Sequence, residues 1–225
     1  MVVGNGLLGM SFLLSSENDN ESRVIFASGV SNSKETDIKE FNREKELILK
    51  HIKTDKKFIY FSSILSDIVD NPYYNHKLDM EELVRNNSNN YLIFRVPQIV
   101  GYSKNPNTLM NYLIRNIKDS NEVVINEGIK RALIDVTDII RIVNYCDLKN
   151  TCLTLNISFI EKISVISLYQ KLTVSLSCEE NYSIETTHND SNWNVDNSPL
   201  IIDAINELRF NQLDYTDDLI RKYTR

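Results

Sequence analysis

Short apolar runs alternate with longer amphipathic stretches along this chain, and that alternation constrains the fold more than any other feature. Runs typical of strands occupy residues 1–3, 23–27, 57–61, 90–95 and 153–157. Helix-like spacing of apolar residues marks residues 37–52, 73–85 and 108–117, and residues 200–223 resemble two short helices. Strands that alternate with helices build mostly parallel sheets with helices on both faces. The sequence therefore predicts an α/β fold.

The first strand is followed at once by a glycine-rich turn, Gly4-x-Gly6-x-x-Gly9, and then by an apolar helix start. In a dinucleotide-binding turn, Gly4 makes the tight turn, Gly6 lets the backbone approach a pyrophosphate, and Gly9 lets helix and strand pack closely. The amino terminus of the helix then faces the phosphates. A plain strand-to-helix turn explains the same pattern, and the turn alone does not decide between the two.

Tyr73 and Lys77 are four residues apart in a predicted helix, and Ser63 follows the strand before it. Positions i and i+4 share a helix face, so both side chains should enter one cleft. A nearby ammonium lowers the pKa of a phenol, and Ser63 can donate a hydrogen bond to the oxygen that Tyr73 protonates. A chance pair is the competing interpretation, since the chain has eleven tyrosines. Asn71-Pro72, a typical helix start, places Tyr73 at the beginning of the helix and favours a catalytic pair.

Length and composition fit one globular domain without a nucleic-acid or membrane surface. The 225 residues are 42% hydrophobic and 25% charged, which is enough to bury one core. A formal net charge of −6 argues against nucleic-acid binding. No apolar run approaches the roughly 20 residues of a spanning helix, and the start does not resemble a secretory signal. We therefore expect a cytoplasmic protein that binds neither nucleic acid nor membrane.

The cysteines and histidines lack the spacing of a metal site or of a disulfide framework. The cysteines are odd in number and form no C-x-x-C pair, so we expect free thiols in a reducing compartment. The histidines show no ligand spacing, and we expect no bound metal. These residues are Cys146, Cys152, Cys178, His51, His76 and His188.

Six segments of the chain, in this order, resemble the extended short-chain dehydrogenase/reductase superfamily, also called the NAD-dependent epimerase/dehydratases. They are GNGLLG at residues 4–9, VIFASGVSNS at 24–33, FIYFSSI at 58–64, NPYYNHKLDMEELV at 71–84, FRVPQIVG at 94–101 and RALIDVTDI at 131–139. The resemblance covers residues 1–155 and implies a Rossmann-like fold that binds NAD or NADP. Members of the superfamily act mostly on nucleotide-activated sugars, so it also implies a nucleotide-sugar substrate.

The superfamily pattern implies roles for individual positions. Ser63, Tyr73 and Lys77 become the catalytic residues, with Tyr73 and Lys77 also at the cofactor and Ser63 also at the substrate. The implied cofactor site further includes Gly4, Asn5, Gly6, Leu7, Leu8, Gly9, Ala27, Ser28, Gly29 and Pro97. The implied substrate side includes Gln98, Ile99 and Arg131. For Arg131, a local ion pair with Asp135 or Asp138 is at least as good an explanation as a substrate phosphate.

Residues 62–77 most resemble short reductases of capsule and O-antigen precursor synthesis, which use NADPH to reduce the 4-keto group of a deoxysugar nucleotide. The chain departs from the superfamily after its first helix, where only the polar stretch SSENDNES, residues 15–22, precedes the next strand. No room remains for the usual second and third strands, which hold the adenosine and select NAD or NADP. We therefore expect the first strand at a sheet edge, a loosely bound cofactor, and a preference between NAD and NADP that the sequence leaves undetermined.

The shortened fold supports two different conclusions. One is an active reductase, since epimerases retain NAD tightly and the superfamily's dehydratases carry an Asp-Glu pair where this chain has Ile64-Leu65. An epimerase stays an alternative. The other conclusion is a catalytically degenerate subunit that binds a nucleotide or a partner. The presence of Ser63, Tyr73 and Lys77 favours the active enzyme.

We expect a single domain, with a truncated dinucleotide-binding core over residues 1–150 and a small substrate cap over residues 151–225. In the cap, Trp193 either stacks on a base or sugar or anchors a loop. Relatives pair through the helices that correspond to residues 37–52 and 73–85, so the resemblance implies a homodimer. The many charges of the first of these helices, Glu44 among them, are also compatible with a solvated face.

Overall fold

A computed structural model describes residues 1–15, 21–103, 105–106, 108–149, 152–186 and 193–225. The chain forms two compact units. The first unit comprises Met1–Pro97, Val136–Ser158 and Val195–Leu208. The second unit comprises Gln98–Asp135, Phe159–Asn194 and Arg209–Arg225. His188 and residues 16–20 of the polar stretch lie outside the described residues.

Helices and strands alternate along the described chain. In chain order they are β1 (Val2–Val3), α1 (Leu7–Leu14), β2 (Arg23–Phe26), α2 (Ile38–His51), β3 (Lys57–Ser63), α3 (Pro72–Asn87), β4 (Tyr91–Val96), β5 (Gln98–Val100), α4 (Leu109–Lys118), β6 (Val123–Glu127), β7 (Lys130–Arg131), β8 (Leu133–Asp135), α5 (Val136–Asp147), β9 (Leu153–Asn156), β10 (Ile163–Ser164), α6 (Val165–Leu176), β11 (Tyr182–Thr186), α7 (Pro199–Glu207) and α8 (Tyr215–Thr224).

The first unit is built on a parallel five-stranded sheet with the order β1-β2-β3-β4-β9. On one face, Phe58 packs with Ile48 of α2 and Val84 of α3 in a buried cluster. On the other face, Phe61 contacts Phe12 of α1, with 5.8 Å between ring centroids. Buried apolar residues on both faces are what a parallel sheet between two helix layers requires. The α/β, Rossmann-like prediction is confirmed.

Strand β1 forms one edge of this sheet, because among the described residues it pairs with β2 alone. The register joins Val2 to Ile25 and Val3 to Phe26. Only residues 15–22 connect α1 to β2, and residues 16–20 of them are not described. The predicted shortening of the sheet, with its first strand at an edge, is therefore confirmed for the described chain.

Helix α3 begins where the sequence predicts. The Asn71 side chain accepts a hydrogen bond from the Tyr74 backbone amide over 2.8 Å, and Pro72 occupies the first turn. An asparagine cap satisfies an amide that has no partner within the helix, and proline lacks the amide that would need one. Tyr73 and Lys77 lie on the buried face of this helix.

The interpretation of a solvated α2 face is wrong for Glu44, whose side chain is fully buried. Ile38 and Leu49, two apolar residues of the same helix, are exposed. Glu44 lies three residues after Phe41 and four before Ile48, which is the spacing of one helix face. The carboxylate tolerates burial because α3, β3 and the loop after β2 all supply it with partners.

The second unit contains three small sheets that the sequence analysis does not predict. Strands β5 and β8 pair in parallel, β6 and β11 pair in parallel, and β7 and β10 pair in antiparallel orientation. Helix α6 packs against both α4 and α8 within this unit. The tail forms the two predicted short helices, α7 in the first unit and α8 in the second. No helix in the described ranges has the length and apolar character needed to cross a membrane.

Candidate active site

The candidate catalytic residues lie in the first unit, on β3 and α3. Ser63 is the last residue of β3, and its hydroxyl accepts a hydrogen bond from the Leu65 amide over 3.3 Å. Tyr73 and Lys77 are 9% and 3% exposed on the same buried face of α3. The Lys77 ammonium nitrogen lies 5.7 Å from the centroid of the Tyr73 ring. The i, i+4 spacing therefore places the amine beside the Tyr73 ring, and the predicted entry of both side chains into one cleft stays a prediction.

The Lys77 ammonium also forms a buried ion pair that the sequence analysis does not predict. Its nitrogen lies 3.0 Å and 3.3 Å from the two carboxylate oxygens of Glu44. Glu44 further accepts hydrogen bonds from the Tyr60 hydroxyl and from the Val30 amide, each over 2.7 Å. The His76 imidazole lies 3.0 Å from the same carboxylate. We call Glu44, Lys77, Tyr60 and His76 the carboxylate cluster.

The carboxylate cluster sets the protonation of its members. Burial alone would raise the pKa of Glu44, but the Lys77 ammonium and the hydrogen bonds from His76, Val30 and Tyr60 hold that pKa well below its usual range. Burial, and then the Glu44 carboxylate, raise the pKa of Tyr73 well above its ordinary value of 10.0. The prediction that Lys77 lowers the pKa of Tyr73 is therefore wrong, because Glu44 neutralises the ammonium and apolar burial disfavours the phenolate.

The glycine turn connects β1 to α1 with the backbone geometry that the pattern predicts. Gly4 has φ +128°, and a side chain there would meet the Ala27 carbonyl oxygen at 2.3 Å. At Gly9 a side chain would meet the Gly4 carbonyl oxygen at 2.4 Å. Gly6, by contrast, faces open space within the described part of the chain, and it is the residue from which α1 starts. Asn5, Leu7 and Leu8 complete the turn and the first residues of the helix.

Open space over Gly6 and the amino terminus of α1 fit the pyrophosphate of a dinucleotide. The first amides of a helix have no partner within it, and the helix dipole favours an anion at that end. Gly4, Gly6, Gly9 and their neighbours would hold the phosphates there. The predicted phosphate-binding role of these residues is consistent with the turn and stays a prediction.

Two alanine substitutions distinguish Gly4, whose backbone conformation requires a glycine, from Gly6, which faces open space. We expect Gly4→Ala to lower the free energy of unfolding by about 2 kcal/mol, since an L-residue is strained at positive φ. We expect Gly6→Ala to cost less than about 1 kcal/mol but to weaken NADPH binding, since the new methyl group occupies the open space. Urea unfolding followed by circular dichroism, with a fluorescence titration of NADPH, measures both. Equal stability losses in the two variants would contradict this assignment.

The loop after β2 connects the glycine turn to the carboxylate cluster. The Ala27 amide donates to the Val3 carbonyl over 2.8 Å, and the Arg43 guanidinium donates to the Ser28 carbonyl over 3.2 Å. At Gly29 a side chain would lie 2.7 Å from the Lys77 nitrogen and 2.8 Å from a Glu44 oxygen. Because the strands are parallel, this loop, the glycine turn and Ser63 all lie at the carboxyl edge of one sheet, where α/β folds bind their ligands.

The remaining predicted residues follow β4. Pro97 ends the first of the three segments of the first unit, and Gln98 and Ile99 form part of β5 in the second unit. Arg131 belongs to β7 and pairs in register with Ile163 of β10. Their predicted cofactor and substrate contacts stay predictions.

The two acidic neighbours of Arg131 have other cationic partners. Asp135 lies 2.6 Å from the Lys222 nitrogen, and Asp138 lies 2.9 Å from the Arg141 guanidinium. The Arg131 guanidinium donates to the Lys130 carbonyl over 3.0 Å. Asp135 and Asp138 thus have partners on α8 and α5, and Arg131 has one on its own strand.

Trp193 is half-buried and has one close cationic neighbour. The Lys162 nitrogen lies 4.5 Å from a ring centroid of the indole and donates to the Trp193 carbonyl. This contact suits a tryptophan that anchors a loop. In the part of the chain that is described, no group of three or more His, Cys, Asp or Glu side chains has the arrangement of a metal site.

Comparison with solved structures places this geometry in a known fold. RMD from Pseudomonas aeruginosa complexed with NADPH superposes with a TM-score of 0.79 at 14% identity, over 99% of this chain and 96% of that chain. DesIV, a dTDP-glucose 4,6-dehydratase from Streptomyces venezuelae with NAD and TYD bound, gives 0.71 at 13% identity, over 91% and 72%. The chain has the fold of these proteins. UDP-glucuronic acid 4-epimerase from Bacillus cereus, with UDP-glucuronic acid and NAD, gives 0.62 at 18% identity, over 94% and 80%.

The resemblance to the extended short-chain dehydrogenase/reductase superfamily is thus confirmed at the level of the fold. No family model matches the sequence, and no curated protein matches it either. The structures named above contain NADPH or NAD, which is the cofactor class that the glycine turn predicts.

The carboxylate cluster is the feature that sequence reasoning missed, although a signal for it was present. Glu44 falls on the buried face of α2 by spacing, between Phe41 and Ile48. The Phe41 ring stacks on His76 with 4.4 Å between centroids, so α2 and α3 meet at this point. A charged residue at an apolar helix position is a sign of a buried partner.

Proposed function

We propose that this chain is an NAD(P)H-dependent reductase of a keto group on a nucleotide-activated deoxysugar. The observation that carries the proposal is the buried Tyr73–Lys77 pair on α3, directly after Ser63 at the carboxyl edge of the sheet. The glycine turn at the same edge leaves space for a dinucleotide at Gly6. Such a reductase would serve surface polysaccharide synthesis in the cytoplasm, where NAD(P)H and activated sugars are available.

The proposed reaction converts the keto group to a secondary alcohol. When bound, NAD(P)H supplies a hydride to the keto carbon. Tyr73 donates its phenolic proton to the keto oxygen as the carbon–oxygen double bond becomes a single bond, and it regains a proton from water. Ser63 donates a hydrogen bond to the same oxygen and stabilises its developing negative charge. Lys77 lies beside Tyr73 and, as the resemblance implies, binds the nicotinamide ribose.

The Tyr73 hydroxyl carries its proton at neutral pH, since its ordinary pKa lies near 10 and burial and the Glu44 carboxylate raise that pKa further. The phenol can therefore donate a proton to a keto oxygen, as the proposed reductase requires. An epimerase stays the alternative, because an ordinary tyrosine is protonated at this pH as well.

An assay with candidate substrates tests the proposed function. We expect NADPH or NADH fluorescence to fall when purified protein meets a 4-keto-6-deoxysugar nucleotide, with one alcohol formed for each cofactor oxidised. No cofactor oxidation with any UDP-, GDP- or dTDP-linked keto sugar, at protein concentrations equal to the cofactor, would exclude the proposal.

The homodimer implied by the resemblance stays a prediction, which sedimentation of the same protein checks.

The edge position of β1 predicts that the adenosine half of the cofactor contributes little binding energy. We expect NADPH and reduced nicotinamide mononucleotide to bind with affinities within about tenfold of each other, which is about 1.4 kcal/mol. The reason is that β1 pairs only with β2 in the described chain, so the sheet provides no further strand beside the adenine. Fluorescence titration measures both affinities. NADPH that binds more than 100-fold tighter would show that another surface holds the adenosine.

A nucleotide-binding subunit without turnover is the second candidate function. The observation that favours it is the Glu44–Lys77 ion pair, which occupies the amine that a nicotinamide ribose would bind. This candidate predicts that nucleotide binds but that no keto sugar is reduced. The assay above separates the two functions, since only the reductase oxidises its cofactor.

A further inference from the structure

Glu44 contacts the proposed catalytic lysine but belongs to none of the motifs that identify the site. Its carboxylate is fully buried. It lies on α2, one helix away from Tyr73 and Lys77, and it accepts hydrogen bonds from two other parts of the first unit, Tyr60 of β3 and Val30 of the loop after β2. A carboxylate with this many short contacts is held in one position and holds its partners in turn.

We propose that Glu44 is a positioning residue, which holds the Lys77 side chain in place and offsets its charge. In the resting protein, Tyr73 then keeps the proton that it donates to the substrate. The inference rests on the proposed reductase function and deepens it, since it names the residue that orients the proposed catalytic lysine. Glu44 acts through Lys77 and Tyr73 and does not itself need to touch the substrate.

The Lys77 ammonium lies between two members of the carboxylate cluster. Lys77 bridges Glu44 and Tyr60, with its nitrogen 3.0 Å from the nearer carboxylate oxygen and 3.4 Å from the Tyr60 oxygen. The same nitrogen lies 5.5 Å from the centroid of the Tyr60 ring and 5.7 Å from that of the Tyr73 ring. The ammonium is therefore directed at Glu44 and lies beside the face of Tyr73.

The charge of Glu44 alters the effect of Lys77 on Tyr73. The groups that face Glu44 are Lys77 and His76 from α3, Tyr60 from β3 and, at longer range, Tyr73. A carboxylate and an ammonium at contact distance nearly cancel each other, so Tyr73 experiences little net positive charge. Loss of the negative charge would leave one uncompensated ammonium next to the phenol, and an ammonium stabilises a phenolate. Glu44 thus offsets the stabilisation that Lys77 would give to the phenolate of Tyr73, and it acts in addition to burial.

A purely structural role is the competing explanation, in which Glu44 only joins α2 to α3. That role predicts a change in stability without a change in Tyr73. The two explanations differ in one measurable quantity, the pH at which Tyr73 ionises, and this quantity needs neither substrate nor cofactor.

The test follows the phenolate of Tyr73 in the Glu44→Gln variant. The amide keeps the volume of the side chain and one oxygen acceptor but removes the charge. Ultraviolet difference titration isolates Tyr73 when the same curve for Tyr73→Phe is subtracted in each background. We expect the ionisation of Tyr73 to move to lower pH by at least about one unit relative to the wild type. Identical titrations would overturn the proposal.

The control variant is Asp147→Asn, which removes another buried carboxylate from the first unit. Asp147 pairs with Arg23 over 3.0 Å and with Lys57 over 2.9 Å, at the amino ends of β2 and β3 and thus at the opposite edge of the sheet. We expect this variant to lose stability without shifting Tyr73. An equal shift in both variants would mean that general loosening of the unit, and not the Glu44 charge, moves Tyr73.

Two further measurements keep the proposal testable if Glu44→Gln does not fold or if turnover is absent. In the wild-type protein, carbon NMR of labelled tyrosine should show Tyr73 neutral at about pH 10, where an ordinary tyrosine is half ionised. Ionisation of Tyr73 below that pH would overturn the proposal without any Glu44 variant.

If the protein reduces a keto sugar, Glu44→Gln should shift the alkaline limb of kcat to lower pH. A shifted Tyr73 titration without any turnover would support the proposed role of Glu44 and would exclude the proposed reductase function.

Discussion

Replacing Tyr73 with phenylalanine is expected to lower turnover of a keto-sugar nucleotide roughly 1,000-fold, since a positioned general acid contributes between about 100-fold and 10,000-fold. The ring of Tyr73 is buried and packs edge to face on Tyr74, with 5.0 Å between centroids. Phenylalanine keeps that packing and removes only the proton donor. Cofactor affinity should therefore stay within about twofold of the wild type, because loss of one hydroxyl leaves the glycine turn unchanged.

Tyr74→Phe is the matched control for this experiment. Tyr74 is the adjacent residue of α3 and loses the same hydroxyl, but it is offset by one position from the face shared by Tyr73 and Lys77. We expect its turnover to stay within about twofold of the wild type. Steady-state NADPH oxidation and a separate binding titration measure both variants. Full activity of Tyr73→Phe would remove Tyr73 from the role of proton donor.

The core of the first unit could be predicted because its signals are local. Strands β2, β3, β4 and β9 are runs of four to seven mostly apolar residues, and each begins within one residue of its predicted start. The boundary at Asn71-Pro72 and the turn at Gly4 also depend on neighbours in sequence. Features that depend only on neighbouring residues in the sequence can be recognised without knowledge of the fold.

The short strands of the second unit and the partners of Glu44 could not be predicted, for two physical reasons. Strands β5, β7, β8 and β10 have two or three residues, which is too short to show a strand period. Glu44 obtains Tyr60, His76 and Lys77 from 16, 32 and 33 residues away, so its burial depends on how three elements pack. The direction of the Tyr73 pKa shift follows from that packing and not from the Tyr-x-x-x-Lys spacing.

Glu44→Ala should destabilise the protein more than any other single change in the cluster, by about 4 kcal/mol at neutral pH. The variant leaves the Lys77 ammonium buried without its counter-charge and leaves the Tyr60 hydroxyl and the Val30 amide without their acceptor. Urea unfolding at pH 7 gives the free energy. The double variant Glu44→Ala/Lys77→Met removes both charges and should recover about 2 kcal/mol of that loss, because a buried charge pair can be replaced by apolar groups at little cost.

The pH dependence of this loss has a definite sign. The folded protein holds the pKa of Glu44 well below the ordinary value of 4.5. A carboxylate whose pKa is lowered by folding contributes its full stability above that ordinary value, and the contribution disappears as the pH falls towards the folded-state value. The difference in unfolding free energy between the wild type and Glu44→Ala should therefore be constant from about pH 6 to pH 8 and should shrink below about pH 4. A difference that grows on acidification would show that Glu44 is buried as a neutral acid, and the ion pair with Lys77 would not exist in solution.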